Sequence, residues 1–122
     1  MLLGIDIIDI ERMARAAQRT PHLLERVFTS RELQDCLGKK NPYPSLAARF
    51  AAKEALRKLD PCFIRGIRFQ EVEVVKSPEG RPELVLHGRA REKAREARIE
   101  GFSLSLSHSK EQAIAALIAE KG

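Results

Sequence analysis

The sequence predicts a single domain in which strands and helices are mixed along the chain, and three observations carry that expectation. The opening Leu2 to Ile8 is rich in aliphatic and β-branched residues, and Phe102 to His108 alternates apolar and polar residues without a break. Between them, Leu46 to Leu59 reads as a continuous helix, capped by Ser45 and terminated by Asp60-Pro61. A chain of 122 residues, 43% apolar and 32% charged, has the size and balance of one folded domain, not of a disordered segment.

In order along the chain, the first strand places Leu3, Ile5 and Ile7 on one face and Gly4, Asp6 and Ile8 on the other. Asp6 then sits among apolar neighbours on what reads as a central strand, where a lone carboxylate is costly unless paired or bound to a metal. Asp9 is placed to cap a helix from Ile10 to Arg19, which Thr20-Pro21 stops. Ile10, Met13 and Ala17 share one face of that helix, and Arg12, Arg15 and Arg19 form a second stripe. Thr29 and Glu32 have the spacing of a capping box, so a short helix runs to about Leu37 and ends at Gly38. Lys39 to Pro44 has the composition of a loop. From Ile67 to Val75 the pattern is strand-like, but its parity changes near Gln70-Glu71, as at a bulge. Ser77-Pro78-Glu79-Gly80 suits a type I turn leading into a return strand, Glu83 to His87. Arg89 to Arg98 is a helix with a narrow Ala90, Ala94, Ala97 seam. Ala113 to Ala119 satisfies two patterns: its composition favours a helix, and its apolar run after a short turn favours a buried strand.

Composition then narrows the function classes. No apolar run approaches the ~20 residues of a membrane helix, and no basic region precedes the apolar start, so neither a span nor a signal peptide is expected. Two cysteines, Cys36 and Cys62, read as reduced thiols of a cytoplasmic protein. Six aromatic residues with no Trp argue against a surface for stacking exposed bases. Twenty-two Lys and Arg against 17 Asp and Glu give a net charge of +5, which steers anionic partners without naming one.

Chemistry-bearing residues gather in four places. Arg49, Lys53 and Arg57 recur every four residues along one edge of the long helix; like charges at that spacing repel, an arrangement that makes sense where phosphates arrive. The same helix is equally readable as a solvated amphipathic one with a Glu54–Lys58 pair. Asp6 and Glu54 are the acids embedded in apolar sequence, and two such carboxylates brought together make a hard-oxygen Mg²⁺ site. Spacing does not show that they meet. His108 ends a strand whose alternate residues are serines, yet no Gly-x-Ser-x-Gly elbow surrounds them, and glycine-rich phosphate loops are absent. The Arg12, Arg15, Arg19 stripe is either a solvated face or a dock for an acidic partner.

Four segments in order resemble one family. They are Gly4-Ile5-Asp6-Ile7, Glu25-Arg26-Val27-Phe28-Thr29, Arg49-Phe50-Ala51-Ala52-Lys53-Glu54-Ala55 with Lys58 following, and Ser105-Leu106-Ser107-His108-Ser109. On these the chain is similar, from Leu3 to Glu120, to the bacterial holo-[acyl-carrier-protein] synthases, the short branch of the phosphopantetheinyl transferases. The resemblance implies an α+β fold, an antiparallel sheet packed on a long central helix, and it favours a strand for Ala113 to Ala119. It implies a homotrimer with coenzyme A sites between subunits. It implies transfer of 4′-phosphopantetheine from coenzyme A to a serine of apo acyl carrier protein, releasing adenosine 3′,5′-bisphosphate. By position, Asp6 and Glu54 match Mg²⁺ ligands, and Lys58 the lysine beside the pyrophosphate. Glu54 also matches the acceptor of the serine proton, Arg49 and His108 match groups near the 3′-phosphate and adenine, and Arg12 matches a carrier-protein contact, with Arg15 and Arg19 suited to the same acidic partner by charge. One departure is plain: the family's glycine-containing turn after the lysine is replaced here by Leu59-Asp60-Pro61-Cys62-Phe63. Two rival readings are a small basic nucleic-acid-binding module and a scaffold that docks carrier protein without modifying it. The first does not account for two acids in apolar sequence, and the second predicts binding without chemistry.

Overall fold

A computed structural model describes residues 1–122 throughout. The chain runs β1 (Leu2–Asp9), α1 (Ile10–Arg19), α2 (Leu23–Val27), α3 (Ser30–Leu37), α4 (Tyr43–Leu59), β2 (Val72–Lys76), β3 (Pro82–Leu86), α5 (Gly88–Glu96), β4 (Ile99–His108) and β5 (Gln112–Lys121). Strands β1, β5 and β4 form one antiparallel sheet in that order, and β2 and β3 form a separate hairpin. The α+β class and the strand at the C-terminal end are as expected from the resemblance.

Local chemistry explains the boundaries. The Asp9 carboxylate accepts from the Arg12 amide at 3.0 Å and starts α1. Thr29 and Glu32 form the reciprocal capping box that starts α3. The Gly80 amide donates to the Ser77 carbonyl at 2.8 Å, closing the turn between β2 and β3. Four details differ from the sequence reading. Helix α4 begins at Tyr43 with Pro44 in its first turn, not at Leu46, and the Ser45 hydroxyl receives a hydrogen bond from Lys39 instead of capping. The expected bulge is a turn of 3₁₀ helix, Phe69–Glu71, so β2 starts only at Val72. Helix α2 has too few residues for a periodic signal and was not anticipated. Strand β1 lies at the sheet's edge and not its centre, because β5 pairs on both sides.

Helix α4 is the axis of the molecule. Its C-terminal half packs with Ala51, Ala55 and Leu56 against the sheet and the hairpin, and its N-terminal half packs with Leu46 and Ala47 against α1–α3. The sheet face toward α4 is lined by small residues, Ala113, Ala115 and Ala119 on β5, with Gly4 of β1 opposite Leu117. A Cβ on Gly4 would stand 2.0 Å from the Ala55 carbonyl oxygen, so only glycine lets β1 come this close to the helix. That approach carries Asp6, two residues on and on the same face, to the C-terminal turns of α4. The opposite face of the sheet is open and apolar: Leu3, Ile5 and Ile7 are more than half exposed, beside Ile114 and Ile118 of β5.

Candidate active site where the first strand meets the long helix

Three of the residues singled out in the sequence come together here. Lys58 Nζ donates to Asp6 Oδ1 at 2.6 Å across the β1–α4 contact. Glu54, one turn before Lys58, is ion-paired with Arg57 at 3.6 Å, not with Lys58 as the amphipathic-helix reading had it. The Lys58 ammonium feels both acids: the hydrogen bond to Asp6, then the charges of Asp6 and Glu54, hold its pKa above the ordinary lysine value.

The decisive detail is at Asp6. Its side chain is 10% exposed, and Oδ2 is buried with no hydrogen-bond partner. A buried carboxylate oxygen left without a donor costs about 1–3 kcal/mol or more, and natural folds seldom tolerate one without a use for it. An unsatisfied, anionic, hard oxygen beside a second carboxylate is the donor chemistry that Mg²⁺ selects. The donor chemistry of Asp6 and Glu54, both of which act on the Lys58 ammonium, is thus compatible with a divalent ion.

The other residues fall elsewhere. The supposed cationic edge of α4 is mostly internal. Lys53 is 1% exposed, and its ammonium donates to Glu32 at 2.8 Å and to the carbonyls of Phe69 and Val72. Burial pushes the Lys53 pKa down, against the pull of Glu32. Arg49 is 4% exposed and bonded to Asp35 and to the Cys36 sulfur, although its Nε is buried and unpartnered. It lines a shallow cavity of about 280 Å³ together with Arg31 and Lys76. Only Arg57 keeps a partly exposed head, and it donates to the Ile64 carbonyl at 3.2 Å. His108 is exposed at the end of β4, separated from β1 by the whole of β5. Within one chain it does not meet Asp6. Arg12, Arg15 and Arg19 are exposed on α1, and Arg12 stands at the rim of an apolar cavity of about 320 Å³ walled by Met13, Leu23, Phe28 and Phe50.

Sequence reasoning missed two residues that set this geometry. Gly4 gave no sign of this role beyond its place in a strand pattern and in the opening segment that resembles the family. Glu32 was visible only as a cap, because nothing local says that a lysine 21 residues later will bury its ammonium there. The segment after Lys58 is a capped turn: the Asp60 carboxylate accepts from the Cys62 amide at 2.9 Å and pairs with Lys121 at 3.4 Å.

The family model of the 4′-phosphopantetheinyl transferase superfamily matches residues 2–117. The chain belongs to that superfamily. It is 39% identical to the holo-[acyl-carrier-protein] synthase of Caldanaerobacter subterraneus, over all of this chain and 96% of that one. It is 44% identical to the same-named protein of Moorella thermoacetica, over 96% of this chain and 91% of that one. Among solved structures it is similar to an ACPS–CoA complex from Chronobacterium ammoniagenes, with a TM-score of 0.87, 29% identity, and coverage of 99% of this chain and 97% of that chain. It is also similar to the holo-[acyl-carrier-protein] synthase of Helicobacter pylori in complex with coenzyme A, with a TM-score of 0.79, 29% identity, and coverage of 98% and 100%.

Proposed function

We propose that this chain transfers the 4′-phosphopantetheine group of coenzyme A to a serine of apo acyl carrier protein, a step of fatty acid biosynthesis, releasing adenosine 3′,5′-bisphosphate. The observation that carries the reading is the orphaned Oδ2 of Asp6, whose other carboxylate oxygen is held by Lys58, itself one helix turn from Glu54, on a phosphopantetheinyl transferase scaffold. Asp6 and Glu54 would hold Mg²⁺, which when bound supplies positive charge to the pyrophosphate. The serine hydroxyl attacks the phosphorus that carries the pantetheine arm. A new oxygen–phosphorus bond forms, the bond to the bisphosphate breaks, and the serine proton passes to Glu54. Lys58, kept cationic by Asp6, is positioned to neutralise charge growing on the leaving bisphosphate.

Around this centre, the cavity ringed by Arg31, Arg49 and Lys76 suits the 3′-phosphate end of coenzyme A, with Arg49 Nε as its one unused buried donor. The Arg12, Arg15, Arg19 stripe suits an acidic carrier protein, and the apolar cavity beside Arg12 gives such a partner a place to anchor. The open face bearing Leu3, Ile5 and Ile7 supports a homotrimer that covers it, in which His108 would serve a neighbouring copy's site. No helix is long and apolar enough to cross a membrane, and two free cysteines fit a reducing cytoplasm.

The test is to incubate the protein with apo acyl carrier protein, coenzyme A and Mg²⁺ and to follow the carrier by intact mass. A gain of one phosphopantetheine arm, abolished by chelator, is expected. A carrier that is bound but never gains mass would favour the docking scaffold instead.

A further inference from the structure

One more cation stands beside the Asp6–Lys58 contact, and the transfer reaction as drawn gives it no part. Glu54, Arg57 and Lys58 occupy positions i, i+3 and i+4 of α4, so Arg57 neighbours both groups on one side of the helix. The close partner of the Glu54 carboxylate is the Arg57 guanidinium, 3.6 Å away. That guanidinium is anchored on its other sides. It donates to the Ile64 carbonyl at 3.2 Å, and its central carbon lies 5.9 Å from the centre of the Phe69 ring. The Phe69 ring packs in turn against Phe50, with centroids 5.5 Å apart. An ordinary exposed ion pair between two mobile side chains contributes little, but here the cation is fixed and the acid is the mobile member. Each acid of the site is thus held by a cation of α4, Asp6 by Lys58 and Glu54 by Arg57. A divalent ion entering there must take Glu54 from Arg57, against the repulsion of a charge anchored at Ile64 and Phe69.

We infer, on the reading of Asp6 and Glu54 as the ion's ligands, that Arg57 is a positioning residue: it holds the Glu54 carboxylate in the unloaded site and opposes a divalent ion arriving alone. The test titrates the protein with Mn²⁺ and no other ligand, reading free ion by electron paramagnetic resonance, in wild type, Arg57→Met and Arg57→Lys. Methionine keeps an unbranched chain against Phe69 without the charge, and lysine keeps the charge. Arg57→Met should bind Mn²⁺ about three- to tenfold more tightly at low ionic strength, the effect of losing a unit charge near a divalent ion. Added salt should shrink that difference. Arg57→Lys should bring the affinity back towards wild type. A loosened helix would instead bind Mn²⁺ more weakly and melt earlier, with lysine giving no recovery.

Glu54→Gln separates the two levels of the reading. It should weaken Mn²⁺ binding and erase the gain from Arg57→Met when the two are combined. If Glu54→Gln binds Mn²⁺ as wild type does, the ligand assignment fails and the role of Arg57 falls with it. If Glu54→Gln weakens binding while Arg57→Met binds no more tightly than wild type, the ligands stand and Arg57 has no such role. A gain that is the same at low and high salt would also overturn it.

Discussion

Helix α4 holds two lysine–carboxylate pairs five residues apart, and they are opposites. Lys53 and Glu32 are both 0% exposed at their side chains, and every visible capacity is used: Lys53 also meets two carbonyls, and Glu32 also accepts from the Thr29 and Val74 amides. Lys58 and Asp6 are 57% and 10% exposed, and one buried oxygen of Asp6 has no partner. The first pair ties α3, α4 and β2 together. The second ties β1 to α4 and leaves one carboxylate oxygen without a partner. Closure in hydrogen bonds marks a structural pair and an open valence marks a site, even where the residue types are the same.

The sharpest way to break this comparison is to remove one member of each pair. Lys53→Ala leaves Glu32 buried without its cation and should cost about 3–5 kcal/mol, lowering the melting temperature by roughly 10–20 °C. Asp6→Ala should leave stability within about 1 kcal/mol of wild type, because it removes an unsatisfied atom and an exposed ion pair. Its effect belongs to transfer, which should fall by about three orders of magnitude or more as several kcal/mol of transition-state stabilisation are lost. Thermal melts alongside carrier-protein modification rates check both. If Asp6→Ala melts as early as Lys53→Ala, the two pairs do not differ in kind.

A middle effect is expected at Gly4, which joins the two halves of the argument. The added methyl of Gly4→Ala would meet backbone, not a movable side chain, so β1 must shift away from α4. Overpacking of this sort costs about 1–3 kcal/mol. It should also slow transfer, because Asp6 moves with its strand while Glu54 and Lys58 stay on the helix. An unslowed Gly4→Ala would show that the β1–α4 spacing does not set the site.

Much of this was legible because it is written locally. The Asp9 cap, the Thr29–Glu32 box, the Ser77–Gly80 turn and the alternation of Phe102 to His108 each depend on residues within a few positions, and each appears where the pattern put it. Asp6 and Glu54 stood out as candidates because charged groups in apolar sequence need a reason, and Lys58 because its position matches the lysine of the family it resembles. Their meeting was not legible, since it depends on Gly4 against Ala55, a contact between chain segments fifty residues apart. The cationic edge of α4 misled for the same cause: helical spacing places Arg49 and Lys53 on one face but does not say that Asp35 and Glu32 come from another helix to bury them. Edge and centre of the sheet were likewise invisible, because strand order is a long-range property.

On the exposed α1 surface the expected effect is on recognition alone. Arg12→Glu with Arg15→Glu should raise the KM for acyl carrier protein by about tenfold or more and flatten its salt dependence, because opposite potentials mainly govern encounter. The KM for coenzyme A should stay near wild type, since both arginines lie on α1, and the cations proposed for its phosphates, Arg49 and Lys58, on α4. Paired KM measurements across ionic strength decide it, and equal losses for both substrates would remove α1 from the docking surface.

The smallest expected effect extends the closed network by one residue. Glu73 on β2 is buried and accepts from the Thr29 hydroxyl at 2.6 Å and from His87 at 3.0 Å. Burial by itself would raise its pKa, but the Thr29 and His87 hydrogen bonds and the nearby charge of Arg31 outweigh it and hold the carboxyl below its ordinary value. The sign follows from linkage. A group whose pKa is depressed by folding adds stability above its unfolded pKa, and loses that contribution as the pH falls through the folded value. His87→Ala removes one of the bonds, so the Glu73 pKa should move back up. The variant should be less stable by about 1 kcal/mol near neutral pH, and the gap should close as the solution is taken below the ordinary carboxylate range. Urea unfolding of both proteins from pH 7 to pH 3 measures the gap directly. A gap that is constant across that range would mean that His87 acts by packing and not by holding Glu73 ionised.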